Sequence, residues 1–148
     1  MKSEPDVYGI DHLIAAGGPA MWEGCRNYTV RNAFRDLFSV GDLALFAHSN
    51  ASPSGLAGIM RVTSVAYPDP TQFDPANRYH DAKSTEENPR WLCVDVHFVE
   101  RFPRVISLAE MRADPVLAGM ETLRKGSRLS VTPVTDAEWA RALELARG

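Results

Sequence analysis

The chain has little of what marks several common protein classes. Its two cysteines, Cys25 and Cys93, form neither a disulfide framework nor, by themselves, a metal site. We therefore expect reduced thiols in a cytoplasmic protein. The longest apolar runs, such as Leu43–Ala47, fall far short of the ~20 residues that span a bilayer. Met1–Asp6 is too polar for a signal peptide. The sequence also lacks a phosphate-binding glycine loop and a dinucleotide-binding motif.

Lysine is scarce, and the basic charge is uneven. Three of the 16 basic residues are lysine and the others are arginine, while the net charge is −3. Residues 22–35 hold three arginines against one glutamate, and residues 101–128 hold six basic against three acidic side chains. Residues 68–88 are acidic. The total therefore hides two positive regions, which suit a nucleic-acid partner, although we expect little non-specific affinity.

The 148 residues, 45% of them hydrophobic and 24% charged, fit one globular domain over 1–148. The pattern indicates a mixed α+β fold of about four to six strands, curved or closed into a small barrel. The predicted helices are a short one in 8–16, one over 27–37, one capped by Ser107, a turn at 114–115 and a closing one capped by Asp136. The predicted strands are 43–48, 56–67, 91–101 and 128–134.

Two local features carry expectations of their own. Gly58 lies inside the strand predicted over 56–67, where a glycine allows a bulge or the close approach of a ligand. Residues 68–89 are rich in proline and polar residues, and a loop of about twenty residues is either functional or mobile. In the helix over 27–37, Val30, Phe34 and Leu37 belong to the predicted apolar stripe.

The densest group of polar and aromatic residues lies between Trp22 and Asn32. Trp22 and Tyr28 are rings on which a base can stack, worth ~1–3 kcal/mol each. Arg26 can hold a phosphate or a ring face, and Asn27 can contact a base edge with both a donor and an acceptor. Taken singly, the rings also fit core positions and Asn27 also fits a helix cap. As a group, the residues favour a binding site.

Two shorter polar segments are weaker candidates. His48, Ser49 and Asn50 follow the strand over 43–48, at a strand end where pocket residues are common, although a polar turn fits them equally well. The segment Lys2–Pro5 has the composition of a frayed terminus.

Catalytic interpretations are weaker still. Cys25, His48 and Asp95 supply the residue types of a thiol nucleophile site, but no local motif joins them. His80 and Asp81 are adjacent, yet no further side chains stand at metal-ligand spacing.

Together the polar segments resemble the EVE domain, a PUA-like family that includes the thymocyte nuclear proteins. The resemblance covers essentially the whole chain. It rests on motifs that run from the N-terminus to the last predicted strand: Met1-Lys2-Ser3-Glu4-Pro5, Trp22-x-Gly24-x-Arg26-Asn27-Tyr28-x-x-Arg31-Asn32, Gly41-Asp42, His48-Ser49-Asn50, Gly58-Ile59, Asp74-Pro75, Tyr79-x-Asp81-x-Lys83-Ser84, Pro89-x-Trp91-x-x-Val94-Asp95-Val96 and Arg128-Leu129-Ser130-Val131-x-Pro133-Val134.

The resemblance implies a PUA-like curved mixed β-barrel with flanking helices, and a non-catalytic module that reads a modified, flipped base in DNA or RNA. We expect no cofactor, no metal, no membrane association and a monomer. The base pocket would be lined by Lys2, Ser3, Glu4, Trp22, Arg26, Asn27, Tyr28, His48, Ser49 and Asn50. The nucleic-acid backbone would be held by Arg31, Arg35, Arg124, Lys125 and Arg128. An enzyme acting on modified nucleosides or nucleic acid, and a small-metabolite-binding protein, are the alternatives.

The sequence departs from the family pattern at its beginning. Family members usually carry several residues before Met-Lys-Ser-Glu-Pro, whereas Met1 opens this chain. Either the first strand is shortened or the assigned start lies downstream of the true one, and we favour the second explanation. Cys25 stands where the family often has an aliphatic residue, which favours packing over nucleophilic chemistry for this thiol.

Overall fold

A computed structural model of the chain describes residues Met1–Gly148. The helices and strands follow in the order β1 (Lys2–Ser3), α1 (Pro5–Tyr8), α2 (Ile10–Ala16), β2 (Ala20–Trp22), α3 (Tyr28–Asp36), β3 (Leu43–His48), β4 (Gly55–Val62), β5 (Tyr67–Pro68), a 3₁₀ helix (Pro70–Phe73), β6 (Leu92–Ser107), α4 (Leu108–Ala113), a second 3₁₀ helix (Glu121–Leu123) and α5 (Asp136–Arg147).

The six strands form one mixed sheet. The strand order is β1-β3-β4-β6-β2, and β5 pairs with β6 beside this path. The pairing of β1 with β3 is parallel, whereas β2 and β5 pair with β6 in antiparallel fashion. Helices and strands alternate without the regular repeat of a βαβ fold, so the predicted α+β class is confirmed.

The chain divides into two compact units whose segments alternate along the sequence. Unit 1 comprises residues 1–17, 44–60 and 98–148, and unit 2 comprises 18–43 and 61–97. The core of unit 1 is built from apolar side chains of β3, β4, β6, α4, α5 and the second 3₁₀ helix. Its buried members are Leu45, Leu56, Ile59, Phe102, Ile106, Met111, Leu117, Met120, Leu123, Ala142 and Ala146.

In unit 2, α3 forms where the sequence predicted a helix. The side-chain oxygen of Asn27 accepts hydrogen bonds from the backbone N–H groups of Thr29 and Val30, which satisfies donors that the first turn leaves unpaired. Val30 and Phe34 are buried, as the apolar stripe required. Leu37 lies just beyond the last helical residue and stays exposed, so its place in the stripe was predicted wrongly.

Two of the predicted strands have different bounds. The strand predicted over 56–67 ends at Val62, and a separate short strand, β5, begins at Tyr67. The strand predicted over 91–101 continues to Ser107. Gly58 serves packing within unit 1, because a Cβ atom there would collide with the backbone oxygen of Glu100 and with the side chain of Ile10. A ligand is therefore not needed to explain this glycine.

The last predicted strand, over 128–134, is wrong. This segment has no strand structure, although the Lys2 N–H donates a hydrogen bond to the Ser130 backbone oxygen at 2.8 Å. Pro133 has no N–H with which to extend a strand ladder.

The predicted cap at Asp136 is one residue late, because Thr135 caps α5 in a reciprocal pair with Glu138. Ser107 caps α4 as predicted.

None of the helices combines the length and apolar character that crossing a membrane requires.

Candidate functional site

A half-open cavity of about 610 Å³, to which polar and apolar side chains both contribute, lies in unit 1 next to the end of β3. Its size falls in the range of small-molecule sites, roughly 300–1,000 Å³. Its walls come from the N-terminal strand, the β3–β4 connection, the start of α4 and the second 3₁₀ helix. The lining residues are Lys2, Ala47, His48, Ser49, Asn50, Ala51, Ser52, Ser54, Leu108 and Thr122.

Parallel strand pairing brings the N-terminal segment to this cavity. In register, Lys2 pairs with Ala47 and Ser3 with His48. The Ser49 N–H donates to the backbone oxygen of Ser3 at 3.0 Å, which continues the pairing past the end of the strand. The N-terminal segment is therefore held in place by backbone hydrogen bonds and is not frayed.

His48 has a defined tautomer at the cavity wall. Its Nε2 atom accepts a hydrogen bond from the Ile10 N–H at 3.1 Å. Because a backbone N–H only donates, Nε2 carries the lone pair and the neutral ring holds its proton on Nδ1. Partial burial lowers the pKa of His48 below 6.5, which favours the same neutral form. His48 thus supplies a neutral side chain to a polar site.

Glu4 and Asn50 are held together beside β1 and β3. The Asn50 amide nitrogen donates to the Glu4 carboxylate at 2.7 Å, and both residues are exposed. Asn50 adopts a left-handed backbone conformation, with φ 49°, in which asparagine is more frequent than most residues. The Asn50 carbonyl oxygen and the remaining lone pairs of Glu4 can accept further hydrogen bonds.

The basic residues predicted to hold a nucleic-acid backbone fall into both units. Arg124, Lys125 and Arg128 are in unit 1, shortly after the cavity residue Thr122, and Arg124 pairs loosely with Glu121 at 3.8 Å. In unit 2, the exposed Arg35 is held by its neighbour Asp36 through two hydrogen bonds, at 2.8 and 3.0 Å. Asp36 therefore offsets the charge of Arg35.

Arg26 lies within unit 2 and is occupied by internal partners. Its Nη1 atom lies 3.0 Å from Oδ2 of the buried Asp69. Other N–H groups of Arg26 donate to Thr71 Oγ1 and to the backbone oxygens of Cys25 and Tyr79. The Arg26 guanidinium therefore stabilises the fold of unit 2, and its predicted contact with a base stays a prediction.

The other predicted pocket residues of unit 2 also have structural partners. Trp22 is 5% exposed, and the Asn27 side-chain oxygen caps α3. The exposed Tyr28 ring packs against Trp91 at a centroid distance of 4.8 Å. The guanidinium carbon of Arg31 lies 4.5 Å from the centre of the Tyr28 ring. Stacking of a base on Trp22 or Tyr28 stays a prediction.

Cys25, the nucleophile of the alternative thiol site with His48 and Asp95, is buried, which does not suit nucleophilic chemistry. The second cysteine, Cys93, was not a candidate for that site and is also buried. Burial raises the pKa of Cys93 to about 12, which leaves it protonated at neutral pH. His, Cys, Asp and Glu side chains form no group of three or more that is arranged to hold a metal ion.

Several residues of the site carry no signal in the sequence. Thr122, Leu108, Ser52 and Ser54 line the cavity, yet none stands in a local pattern that marks it. Arg90, which contacts Tyr28, is likewise unmarked because its partners lie far from it in the sequence.

The fold and the cavity define a PUA-like α+β protein, and comparison with known proteins gives the family. A family model described as the EVE domain matches residues 1–145. Human thymocyte nuclear protein 1 is 40% identical over 162 residues, covering 98% of this chain and 72% of the human protein. The chain therefore belongs to the EVE domain family, and the predicted resemblance is confirmed.

Solved structures share the fold over the whole chain. A protein from Pseudomonas putida has a TM-score of 0.93 and 48% identity, covering 99% of this chain and 97% of that one. The human THYN1 protein, solved in complex with 5-methylcytosine-containing DNA, has a TM-score of 0.91 and 36% identity, covering 100% and 96%. The predicted PUA-like fold class is thereby confirmed.

Proposed function

We propose that this chain is a non-catalytic module that binds a modified base of a nucleic acid in the cavity of unit 1. The observation that carries the proposal is the half-open cavity, whose walls include the polar side chains of Lys2 and of the segment from His48 to Asn50. The solved complex of the related human THYN1 with 5-methylcytosine-containing DNA supports the choice of partner class.

The side chains around the cavity offer both donors and acceptors to a base edge. The lining residue Asn50 carries an amide acceptor and a donor. Its partner Glu4 is not itself a lining residue, but its carboxylate can accept from an exocyclic amine such as that of cytosine. Ser49 adds a hydroxyl group. Extruding a base from a duplex costs a few kcal/mol, and these hydrogen bonds offset part of that cost.

Basic residues of unit 1 supply the attraction to phosphate. Lys2 lines the cavity, and Arg124, Lys125 and Arg128 follow shortly after the lining residue Thr122. With a net charge of −3, the chain has little general affinity for nucleic acid. Recognition therefore depends mainly on the cavity.

The size of the modification limits the selectivity. Burying one methyl group is worth ~0.8 kcal/mol, about a fourfold preference. A polar or bulkier modification that satisfies an otherwise unpaired group yields a larger ratio. We therefore expect weak selectivity for methylated bases, or stronger selectivity for an oxidised or bulkier modification.

The test is fluorescence anisotropy with oligonucleotides that carry cytosine, 5-methylcytosine, oxidised cytosines or methylated adenine, as DNA and as RNA, at one stated salt concentration. The variant Asn50→Gly removes the amide while permitting the left-handed backbone. Asn88→Ala, at an exposed asparagine of unit 2, is the control.

We expect at least one modified base to bind more tightly than its unmodified counterpart, with the preference lost in Asn50→Gly and kept in Asn88→Ala. Equal affinity of the wild-type protein for every modified and unmodified oligonucleotide would contradict the proposal. Release of a free base or an altered nucleoside during incubation would indicate an enzyme instead.

A further inference from the structure

In unit 2, the side chains of two arginines, Arg31 and Arg90, contact one exposed tyrosine, Tyr28. The guanidinium carbon of Arg31 lies 4.5 Å from the centre of the Tyr28 ring, and that of Arg90 lies 5.7 Å from it. Arg90 also donates from Nε and Nη2 to the Tyr28 hydroxyl, at 3.1 and 2.5 Å. One aromatic side chain thus positions two positive charges at the surface of the protein.

The carboxylates of this region leave part of the positive charge unpaired. Asp81 pairs with Arg90 at 3.1 Å, and its Oδ2 atom also accepts from the Trp91 indole N–H at 2.7 Å. The buried Asp69 carboxylate forms an ion pair with Arg26. The side chain of Arg31 donates to neutral oxygens only, those of the Asn32 side chain and the Arg90 backbone. The Asp36 carboxylate also feels the Arg31 charge, but its hydrogen bonds are with Arg35.

Both guanidinium groups keep donors for a ligand. A guanidinium has five N–H groups, and three hydrogen bonds from each of Arg31 and Arg90 leave two in each case. Two arginines with spare donors and a surplus of positive charge match an anion with several oxygens, and phosphate is bound in this manner.

We propose that Arg31 and Arg90 together bind one phosphodiester group of a nucleic-acid strand, with Tyr28 and Asp81 positioning Arg90. This inference rests on the proposed function and adds a backbone contact in unit 2 that includes Arg90, a residue that no sequence pattern marked. A contact of this kind strengthens binding equally for modified and unmodified bases, because phosphate carries no sequence information.

The probe that isolates this contact is a fluorescein-labelled single-stranded oligonucleotide of abasic sites, which presents phosphates without bases. Anisotropy titrations over a range of salt concentrations yield the slope of log K against log salt. The magnitude of this slope falls by ~0.7 for each phosphate of a single strand that the protein no longer neutralises. We expect Arg31→Gln and Arg90→Gln each to lower it by about that amount. The double variant should lower it no further, because both side chains hold the same phosphate.

Charge-matched variants separate binding from packing. Arg61→Gln removes one positive charge from an exposed position in the same unit, where the side chain donates to the Gly41 oxygen. It should leave the slope unchanged. Arg90→Lys keeps the charge and should restore the slope, although with weaker binding because the forked donor is removed. Urea unfolding of each variant identifies any change of slope that comes from misfolding.

The inference is overturned if the wild-type protein fails to bind the abasic strand at low salt. It is also overturned if the slopes of folded Arg31→Gln and Arg90→Gln equal that of Arg61→Gln. The proposed function is judged separately, from the preference for modified over unmodified bases. We expect Arg90→Gln to leave that preference unchanged, and Asn50→Gly to abolish it while leaving the abasic slope unchanged.

Discussion

The Arg26 guanidinium is held by Asp69, a fully buried carboxylate 43 residues further along the chain, at an Nη1–Oδ2 distance of 3.0 Å. Asp69 also accepts from the Gly24 N–H, the Thr71 N–H and the Thr71 hydroxyl. Burial raises the pKa of Asp69, but these hydrogen bonds outweigh it and hold the pKa below its usual value. The carboxylate is therefore charged at neutral pH and fully satisfied.

Removing the Asp69 charge should destabilise the protein more than any exposed ion pair does. We expect Asp69→Asn to lower the free energy of unfolding by about 3 kcal/mol, because it leaves the Arg26 charge without its buried partner. Asp36→Asn, which removes the exposed partner of Arg35, should cost far less, because solvent screens an exposed ion pair. Urea unfolding measures both. Similar losses of stability in the two variants would show that the Arg26–Asp69 pair does not organise unit 2.

Gly24 cannot be replaced without strain. Its φ of +85° is unfavourable for other residues, and an added Cβ atom would lie 2.6 Å from the Tyr79 ring. We expect Gly24→Ala to cost about 2–3 kcal/mol in the free energy of unfolding. Gly18→Ala, at a position with no atom within 4 Å of the added methyl group, should cost less than about 0.5 kcal/mol.

Truncation of the ring separates the two sources of strain at Gly24. In a Tyr79→Ala background, the substitution Gly24→Ala should cost only the backbone part, about 1 kcal/mol. A cost as large as in the wild-type background would mean that the tyrosine ring does not restrict this position.

The His48 side chain should make stability depend on pH. Burial lowers its folded-state pKa below the 6.5 of a free histidine, so the unfolded chain binds the proton more readily. The free energy of unfolding should therefore fall as the pH drops from about 7 through 6.5 toward the lower folded-state pKa. We expect a decrease of less than about 1 kcal/mol, because solvent screens a partly exposed ring.

The matched variant His48→Gln keeps an acceptor for the Ile10 N–H but does not titrate. Urea unfolding at about pH 7.5, 6.5 and 5.5, which brackets the free-histidine pKa, should show a smaller decline for His48→Gln than for wild type. His97→Gln, at an exposed position, is the control for replacing a histidine with glutamine. If the decline in His48→Gln equals that of the wild type, His48 is not the group that titrates.

Local features could be predicted from the sequence where the cause is local. Asn27 begins α3 because a short side chain reaches the next N–H groups, and apolar residues at helical spacing mark its buried face. Strand β3 has the predicted bounds because the apolar run ends at the polar residues that follow His48. Residues 128–134 have the composition of a strand, but a strand forms only where a partner is available, and that depends on distant residues.

The candidate site could be predicted only in part for the same reason. The cavity depends on the parallel pairing of Lys2 and Ser3 with β3, which no periodicity in the sequence reveals. Local sequence patterns do not reveal the Arg26–Asp69 pair. They also do not reveal the contact of Arg90 with Tyr28, which lies 62 residues away. Arginine next to aromatic residues therefore predicted a binding site without indicating which side chains are already occupied.

The central claim is that a modified base enters the cavity of unit 1, and NMR titration of the ¹⁵N-labelled protein tests it most directly. With an oligonucleotide that carries the preferred modified base, the backbone amides of Ser3, Ser49 and Asn50 should show saturable shifts. The unmodified oligonucleotide should produce smaller shifts at the same concentration. Equal shifts with both oligonucleotides, or shifts that leave these three amides unchanged, would contradict the claim.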